Sequence, residues 1–129
     1  MFAARLRHVT LWVQGVYTFI TALWPIVHID SFMLVSGYKL DIWLVKIVSI
    51  LLLSISLCLL VSIYAKEQSF AVGVLALTTS TGLAYADFFY AGSGVISKVY
   101  LADGLAEIVF AISWIYILVK ESKPARLVD

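Results

Sequence analysis

The sequence predicts an all-α polytopic membrane protein in which four transmembrane helices form an up-and-down bundle. Hydrophobic residues make up 63% of the chain and charged residues only 13%, a balance too apolar for a soluble domain. Four apolar segments of about 20 residues or more are each long enough to cross a ~30 Å hydrocarbon core. Short polar connections separate these segments, so consecutive helices run antiparallel. A chain of 129 residues also fits one domain, 1–129.

The first helix is predicted at about 6–29. Arg5 and the apolar run that follows it in the sequence are similar to the start of a signal peptide. However, the run 9–29 exceeds the roughly 7–15 residues of a signal-peptide core, and no small-x-small cleavage site follows it. A retained transmembrane helix is therefore expected. Pro25 cannot donate a backbone hydrogen bond, so it should kink this helix or loosen its last turn.

The second helix is predicted at about 42–65, after Asp41, whose side chain is typical of an N-cap. The connection before it contains a short apolar run, 32–35, which predicts a turn of helix in the membrane interface. Ser31 is expected to cap this turn. Gly37 is expected to end it, because glycine adopts the left-handed backbone that often terminates helices.

The third and fourth helices are predicted at about 69–90 and 97–119. The tight connection 66–68 makes the second and third helices antiparallel neighbours. The middle of the third helix, residues 78–82, is small and hydroxylated, which favours close helix packing in lipid over contact with a substrate. Ser97 is expected to cap the fourth helix.

The basic residues predict the orientation of the bundle. The side of the chain termini carries Arg5, Arg7, Lys66, Lys120, Lys123 and Arg126. The opposite side has Lys39 and Lys98, with Lys46 just inside it. The positive-inside rule then places both termini in the cytoplasm, so the connections 30–41 and 91–97 face outward. We expect a multi-pass protein of the cell inner membrane.

Carboxyl groups inside the fourth predicted helix are the most informative polar feature. Asp103 and Glu107 are four residues apart and share one helix face. An intramembrane charge costs about 2.5–3.5 kcal/mol and normally has a partner inside the bundle. At 1.5 Å per residue, Lys46 and Asp103 lie roughly 8 and 9 Å below the starts of their helices, and this matched depth predicts an ion pair. The deeper Glu107 is expected to be protonated or hydrogen-bonded to a hydroxyl of Thr78, Thr81 or Tyr85.

The function that we expect from these charges is binding of a small amphipathic or lipid-like ligand in a pocket toward the outer leaflet. The predicted pocket residues are Trp43, Lys46, Tyr85, Asp87, Tyr100, Asp103 and Glu107. Alternatively, the charges only fix helix register, and the protein is a structural or accessory subunit of a larger membrane complex. A proton or ion path is a third hypothesis, although helices one and two offer no acid in the inner half to continue it.

These hypotheses make different demands on the structure. The pocket hypothesis requires a cavity between helices that the charges line, whereas the accessory hypothesis allows a filled bundle and predicts co-purifying proteins. The expected partners are membrane lipid, the amphipathic ligand, and a second copy of the chain or another membrane protein. The formal net charge of +1 argues against a nucleic-acid partner.

Other chemistry has no clear sequence signal. Cys58 is the single cysteine, which excludes an intrachain disulfide and a cysteine-based zinc site. His28 is close to Asp30, but a lone histidine at a helix end is more typical of an interfacial residue than of a metal ligand. No nucleophile–base pair or phosphate-binding glycine loop is present, so no catalytic residue, metal or cofactor is predicted. An enzyme that uses Glu107 or Asp103 as acid or base stays open, without a specified reaction.

A distinctive set of residues extends over most of the chain: Trp24-Pro25, Ser31-Phe32, Val35, Gly37, Lys39, Asp41, Trp43-Leu44-Val45-Lys46, Ile96-Ser97-Lys98-x-Tyr100-Leu101-x-Asp103 and Glu107. In these residues the chain resembles a group of short bacterial four-helix membrane proteins. The resemblance implies the four-helix fold and no particular activity. Tyr38 stands where members of the group often have a proline, which implies a looser turn here.

The first helix contains Gly15-x-Tyr17-x-Phe19, followed by the acid Asp30 at the helix end. In these residues it is similar to the first helix of the EXPERA superfamily of four-helix sterol isomerases and sterol-binding proteins. It implies a ligand pocket. The first connection is shorter here, and helix two carries Lys46 instead of an acid. The catalytic acid and histidine of the isomerases cannot be placed on this sequence.

Overall fold

The computed structural model describes residues 1–123, and within them all regular secondary structure is α-helical, without strands. The elements are α1 (Phe2–Val27), α2 (Ile29–Ser36), α3 (Ile42–Ser62), α4 (Phe70–Gly92) and α5 (Tyr100–Ser122). Arg126, one of the basic residues used to predict the orientation, lies outside the described residues.

Four of these helices, α1, α3, α4 and α5, are long and apolar enough to cross a membrane. They pack as a bundle, and the predicted fold class is confirmed: the chain is a multi-pass helical membrane protein. The remaining helix, α2, is the short helix predicted between the first two spans. Its C-terminal neighbour Gly37 has a φ of 92°, and the Gly37 amide donates to Met33 O at 2.9 Å, as expected for a glycine that ends a helix.

The cap of α2 differs from the prediction. The imidazole Nδ1 of His28 accepts a hydrogen bond from the Ser31 amide at 3.1 Å, so His28 is the capping residue. The Ser31 hydroxyl instead accepts from the indole Nε1 of Trp24 at 2.8 Å and donates to His28 O. The helix begins at Ile29, so Ser31 already lies in its first turn.

Tight turns move two helix boundaries inward from their predicted positions. After α3, the Ile63, Tyr64 and Ala65 amides each donate to the carbonyl three residues earlier, a 3₁₀-like pattern. Before α5, the Tyr100 and Leu101 amides do the same, so this helix begins at Tyr100 and not at Ser97. The Ser97 hydroxyl accepts a hydrogen bond from the Val99 amide at 3.4 Å in this preceding turn.

The bundle consists of two antiparallel hairpins, α1–α3 and α4–α5, which meet mainly where α1 packs against α5. Glycines bring the helices of each hairpin close together. A Cβ at Gly15 of α1 would lie 2.7 Å from Leu60 of α3, and a Cβ at Gly73 of α4 would lie 2.6 Å from Leu118 of α5. In contrast, α3 and α4 pack much less closely, although they are consecutive spans.

Polar side chains join the hairpins at two levels of the bundle. At the end of the bundle where α1 begins and α5 ends, Arg7 is only 2% exposed and bonds Glu121 and Gln68. Deeper in the bundle, the Gln14 amide donates to Ser80 Oγ at 2.8 Å and its oxygen accepts from the Trp114 indole at 2.6 Å. These contacts fix α1 against both helices of the second hairpin.

Candidate functional site

A cavity of about 330 Å³ lies between the four long helices, at the end of the bundle that contains the connections 28–41 and 93–99. Its lining combines apolar side chains with hydroxyl, carboxyl and ammonium groups. The lining residues are Thr18, Thr21, Ala22, Pro25, Phe32, Lys39, Leu44, Val45, Val48, Ser49, Leu52, Leu83, Asp87, Tyr100, Asp103 and Glu107. We call this space the acidic cavity.

The acids of the cavity come from the second hairpin. Asp103 and Glu107 are one turn apart on α5, and Asp87 comes from α4. Gly104 allows the two helices to approach at this level. A Cβ at Gly104 would lie 3.2 Å from the Asp87 Cβ and 2.9 Å from a ring carbon of Phe88. The close approach of α4 and α5 therefore gathers the three carboxyl groups.

The hydrogen bonding of these carboxyl groups is incomplete. The Tyr17 hydroxyl of α1 donates to an oxygen of Asp103. Asp87 is 5% exposed and Glu107 is 2% exposed. Even so, Asp87 Oδ2 and Glu107 Oε2 have no hydrogen-bond partner among residues 1–123. Buried polar atoms are nearly always paired in native proteins. Two buried acceptors without a partner in one cavity are therefore unusual, and mark the cavity as a candidate binding site.

The lysine that lines the cavity is Lys39, from the connection between α2 and α3. Its Nζ donates to Ser36 O at 2.9 Å and to Gly37 O at 3.2 Å, and lies 5.2 Å from the centroid of the Tyr100 ring. Burial lowers the pKa of the Lys39 ammonium from its usual value. The lysine is therefore held by neutral groups, and within residues 1–123 it forms no salt bridge with the acids.

The acidic cavity contains four of the residues predicted for the pocket, namely Asp87, Tyr100, Asp103 and Glu107. It does not contain the other three, Trp43, Lys46 and Tyr85. Trp43 is 64% and Tyr85 66% exposed, and both lie on the outer surface of the bundle. Tyr85 stacks there on Phe89, with ring centroids 5.6 Å apart.

The predicted ion pair between Lys46 and Asp103 is wrong. Lys46 is exposed, and the salt bridge found within residues 1–123 joins Arg7 to Glu121. Although Lys46 and Asp103 lie at similar depths along their helices, their side chains do not face each other. Helical side chains point toward the helix N-terminus, so a lysine one turn inside α3 can extend along the bundle surface and place its ammonium at the interface. Trp43 has an interfacial position of the same kind.

The hydroxyl groups predicted to reach Glu107 are also engaged elsewhere. The hydroxyl of Thr78 bonds to Val74 O at 2.8 Å, and that of Thr81 bonds to Leu77 O at 2.8 Å, both within their own helix. The hydroxyl beside Glu107 is instead that of the buried Ser80.

Sequence reasoning missed the contribution of α1 and of Lys39. Thr18 and Thr21 line the acidic cavity, and Tyr17 bonds Asp103. A signal for α1 existed, because Gln14, Thr18 and Thr21 are spaced as one stripe of an otherwise apolar helix. Lys39 had no such signal, because its position depends on the path of a loop.

The arrangement can accept hydrogen bonds from a ligand and enclose an apolar group beside them. Among the described residues, no group of three or more histidine, cysteine, aspartate or glutamate side chains is arranged to hold a metal ion. Comparison with known proteins adds no family: no protein-family model, no curated protein and no solved structure matches this chain. The functional argument therefore depends on the geometry of the cavity.

Proposed function

We propose that this membrane protein binds a small amphipathic or lipid-like molecule in the acidic cavity. The polar end of the ligand lies among the carboxyl groups and hydroxyls of α1, α4 and α5. Its apolar end lies against the aliphatic side chains of α3, such as Val48 and Leu52.

The observation that carries this proposal is the pair of orphaned oxygens, Asp87 Oδ2 and Glu107 Oε2, in a cavity with mostly apolar walls. A volume of about 330 Å³ lies at the lower end of the range of small-molecule sites, which is roughly 300–1,000 Å³. Leaving a buried acceptor unpaired costs about 1–3 kcal/mol, and a bound donor removes that cost.

The cavity also supports this function over a purely architectural role. If the acids only fixed helix register, they would be expected to pair within the bundle, as Arg7 and Gln14 do. The accessory-subunit hypothesis allows a filled bundle, whereas the aliphatic and acidic groups here surround open volume. These features favour a ligand over a docked protein.

The proposed location is the cell inner membrane, with both termini in the cytoplasm and the acidic cavity in the outer leaflet. Support comes from the basic residues at the end of the bundle opposite the cavity, which are Arg5, Arg7, Lys66, Lys120 and Lys123. The cavity end carries Lys39 and Lys98. This asymmetry follows the positive-inside rule.

The test is to fill the cavity with a side chain and to look for bound molecules. Ser49 lines the cavity and is buried, whereas Ser54 of the same helix is exposed on the lipid-facing surface. Wild type, Ser49→Phe and the matched control Ser54→Phe are purified in mild detergent and examined by native mass spectrometry. We expect a non-protein adduct on wild type and on Ser54→Phe, and its loss from Ser49→Phe.

An adduct that persists equally in all three proteins contradicts the proposal, because the cavity is then not its site. Wild type without any small-molecule adduct, but with a stoichiometric second protein, favours the accessory function instead. The far-UV circular dichroism spectrum of each variant shows whether the helical bundle is retained.

A further inference from the structure

The acidic cavity contains more acid than base. Asp87, Asp103 and Glu107 all line it. Lys39 directs its ammonium at backbone carbonyls and the Tyr100 ring. In the described part of the chain, no salt bridge within 4.0 Å joins Lys39 to a carboxylate. The cavity therefore presents carboxyl oxygens that no cationic side chain among residues 1–123 pairs with.

The orphaned oxygens are placed to receive donors from inside the cavity. Asp87 Oδ2 and Glu107 Oε2 belong to side chains that are at least nine-tenths buried, and both residues line the same space. Neither oxygen has a donor among residues 1–123. The third acid, Asp103, already accepts a hydrogen bond from the Tyr17 hydroxyl. Two acceptors in one cavity are therefore free to take hydrogen bonds from a ligand.

We infer that the ligand is an amphipathic organic amine, whose ammonium group donates to Asp87 and Glu107. This inference rests on the proposed ligand-binding function and names the chemical class of the ligand. A primary ammonium has three N–H donors, enough for both oxygens, and a positive charge that the surplus of carboxyl groups stabilises. The apolar part of the amine lies along Leu44, Val48 and Leu52.

Other ligand classes fit the same features less well. An anion is repelled by the three acids of the cavity. An alcohol has one donor and leaves the second oxygen unpaired. A bare ion is similar in size to a water molecule, which has about 30 Å³ of liquid volume. A cavity of about 330 Å³ is therefore far too large for a bare ion without a shell of ligands.

The test compares probes of one shape and three charges. Phenylbutylamine, phenylbutanol and phenylbutyrate are titrated at neutral pH into the wild-type protein in phosphatidylcholine nanodiscs, with protein-free nanodiscs as the blank. Isothermal titration calorimetry gives each dissociation constant. We expect the amine to bind about tenfold or more tightly than the alcohol, and the carboxylate to bind more weakly than the alcohol.

Variants then connect this preference to the two acids. Asp87→Asn and Glu107→Gln keep the shape of each side chain and remove its charge. Each is expected to lower the affinity for phenylbutylamine about tenfold or more, and to reduce the preference for phenylbutylamine over phenylbutanol. The control is Asp41→Asn, because Asp41 is exposed outside the cavity and its side chain caps no helix amide. Asp41→Asn is expected to bind the amine like wild type.

The outcomes separate this inference from the proposed function. If the three probes bind wild type equally, or the carboxylate binds best, the amine assignment is overturned and the pocket stands. If none binds above the blank, the pocket itself is overturned, and the assignment with it. If a variant does not fold, the comparison of probes on wild type still decides the charge preference.

Discussion

The guanidinium of Arg7 binds the carboxylate of Glu121, which lies 114 positions further along the chain. Arg7 Nη1 is 2.8 and 3.0 Å from the two Glu121 oxygens, and Nη2 donates to Ser69 O at 2.6 Å. The guanidinium also lies 5.2 Å from the centroid of a Trp114 ring. One side chain thus ties α1 to α5 and to the start of α4.

We predict that Arg7→Met lowers the free energy of unfolding by about 2 kcal/mol or more, because charge-assisted bonds are lost and their acceptors stay behind. Arg5→Met is the matched control, since Arg5 is exposed on the same helix. Its effect should stay within about 0.5 kcal/mol. Unfolding in mixed micelles with increasing SDS, followed by far-UV circular dichroism, gives both values. Equal decreases in the free energy of unfolding for the two variants would show that the buried contacts of Arg7 do not stabilise the protein.

Gln14 and Trp114 provide a second prediction, inside the bundle. The indole of Trp114 donates to Gln14 at 2.6 Å, so Gln14→Leu leaves a buried N–H without its partner. We expect Gln14→Leu and Trp114→Phe to be non-additive, with a coupling energy of about 0.5–1.7 kcal/mol, the range for hydrogen bonds within membranes. A double-mutant cycle in the same unfolding assay measures it. A coupling energy near zero contradicts the contact.

Lys46 is predicted to contribute little to stability. Its side chain is exposed and pairs with no carboxylate within residues 1–123, so Lys46→Met should change the free energy of unfolding by less than about 0.5 kcal/mol. Lys46→Met combined with Asp103→Leu should equal the sum of the single changes, because distant sites are additive. If the double mutant is more stable than that sum predicts, Lys46 and Asp103 do interact, and the ion pair predicted from the sequence is supported.

The spans and the acids of α5 could be predicted from the sequence, whereas the positions of Lys46 and Lys39 could not. Hydrophobic length determines the four spans, and the acids of α5 share a face by helical spacing alone, so both could be predicted. Which face of α3 meets the other helices could not, because this helix is apolar all round and its few polar residues do not mark a side. Depth along α3 alone therefore predicts an inward position for Lys46, which the structure does not show. Lys39 depends on the loop after α2 and had no periodic signal.

Gly104 tests whether close packing of α4 and α5 maintains the acidic cavity. A side chain there would meet Phe88 and Asp87, whereas a Cβ at Gly82 of α4 would have no atom within 4 Å. We expect Gly104→Val to destabilise the protein by about 1–3 kcal/mol and to weaken amine binding, since overpacking separates the helices. Gly82→Val should do neither. Similar effects of the two substitutions would mean that valine itself, and not the contact, is responsible.

The proposed orientation can be tested by cysteine labelling. In a Cys58→Ala background, Lys98→Cys places a thiol in the connection before α5, and Lys66→Cys places one in the connection before α4; both positions are exposed. A membrane-impermeant maleimide added to intact cells should label position 98, and should label position 66 only after permeabilisation. The reverse pattern would move the acidic cavity to the cytoplasmic leaflet and leave the fold unchanged.

The loose packing between α3 and α4 has a consequence for biosynthesis. The first hairpin, α1–α3, has no acidic residue in either span, so it can leave the translocon for lipid at little cost. The second hairpin carries Asp87, Asp103 and Glu107. It is synthesised when Tyr17 and the polar stripe of α1 are already in the membrane. The first hairpin is therefore available to shield the acids of the second as they enter the membrane.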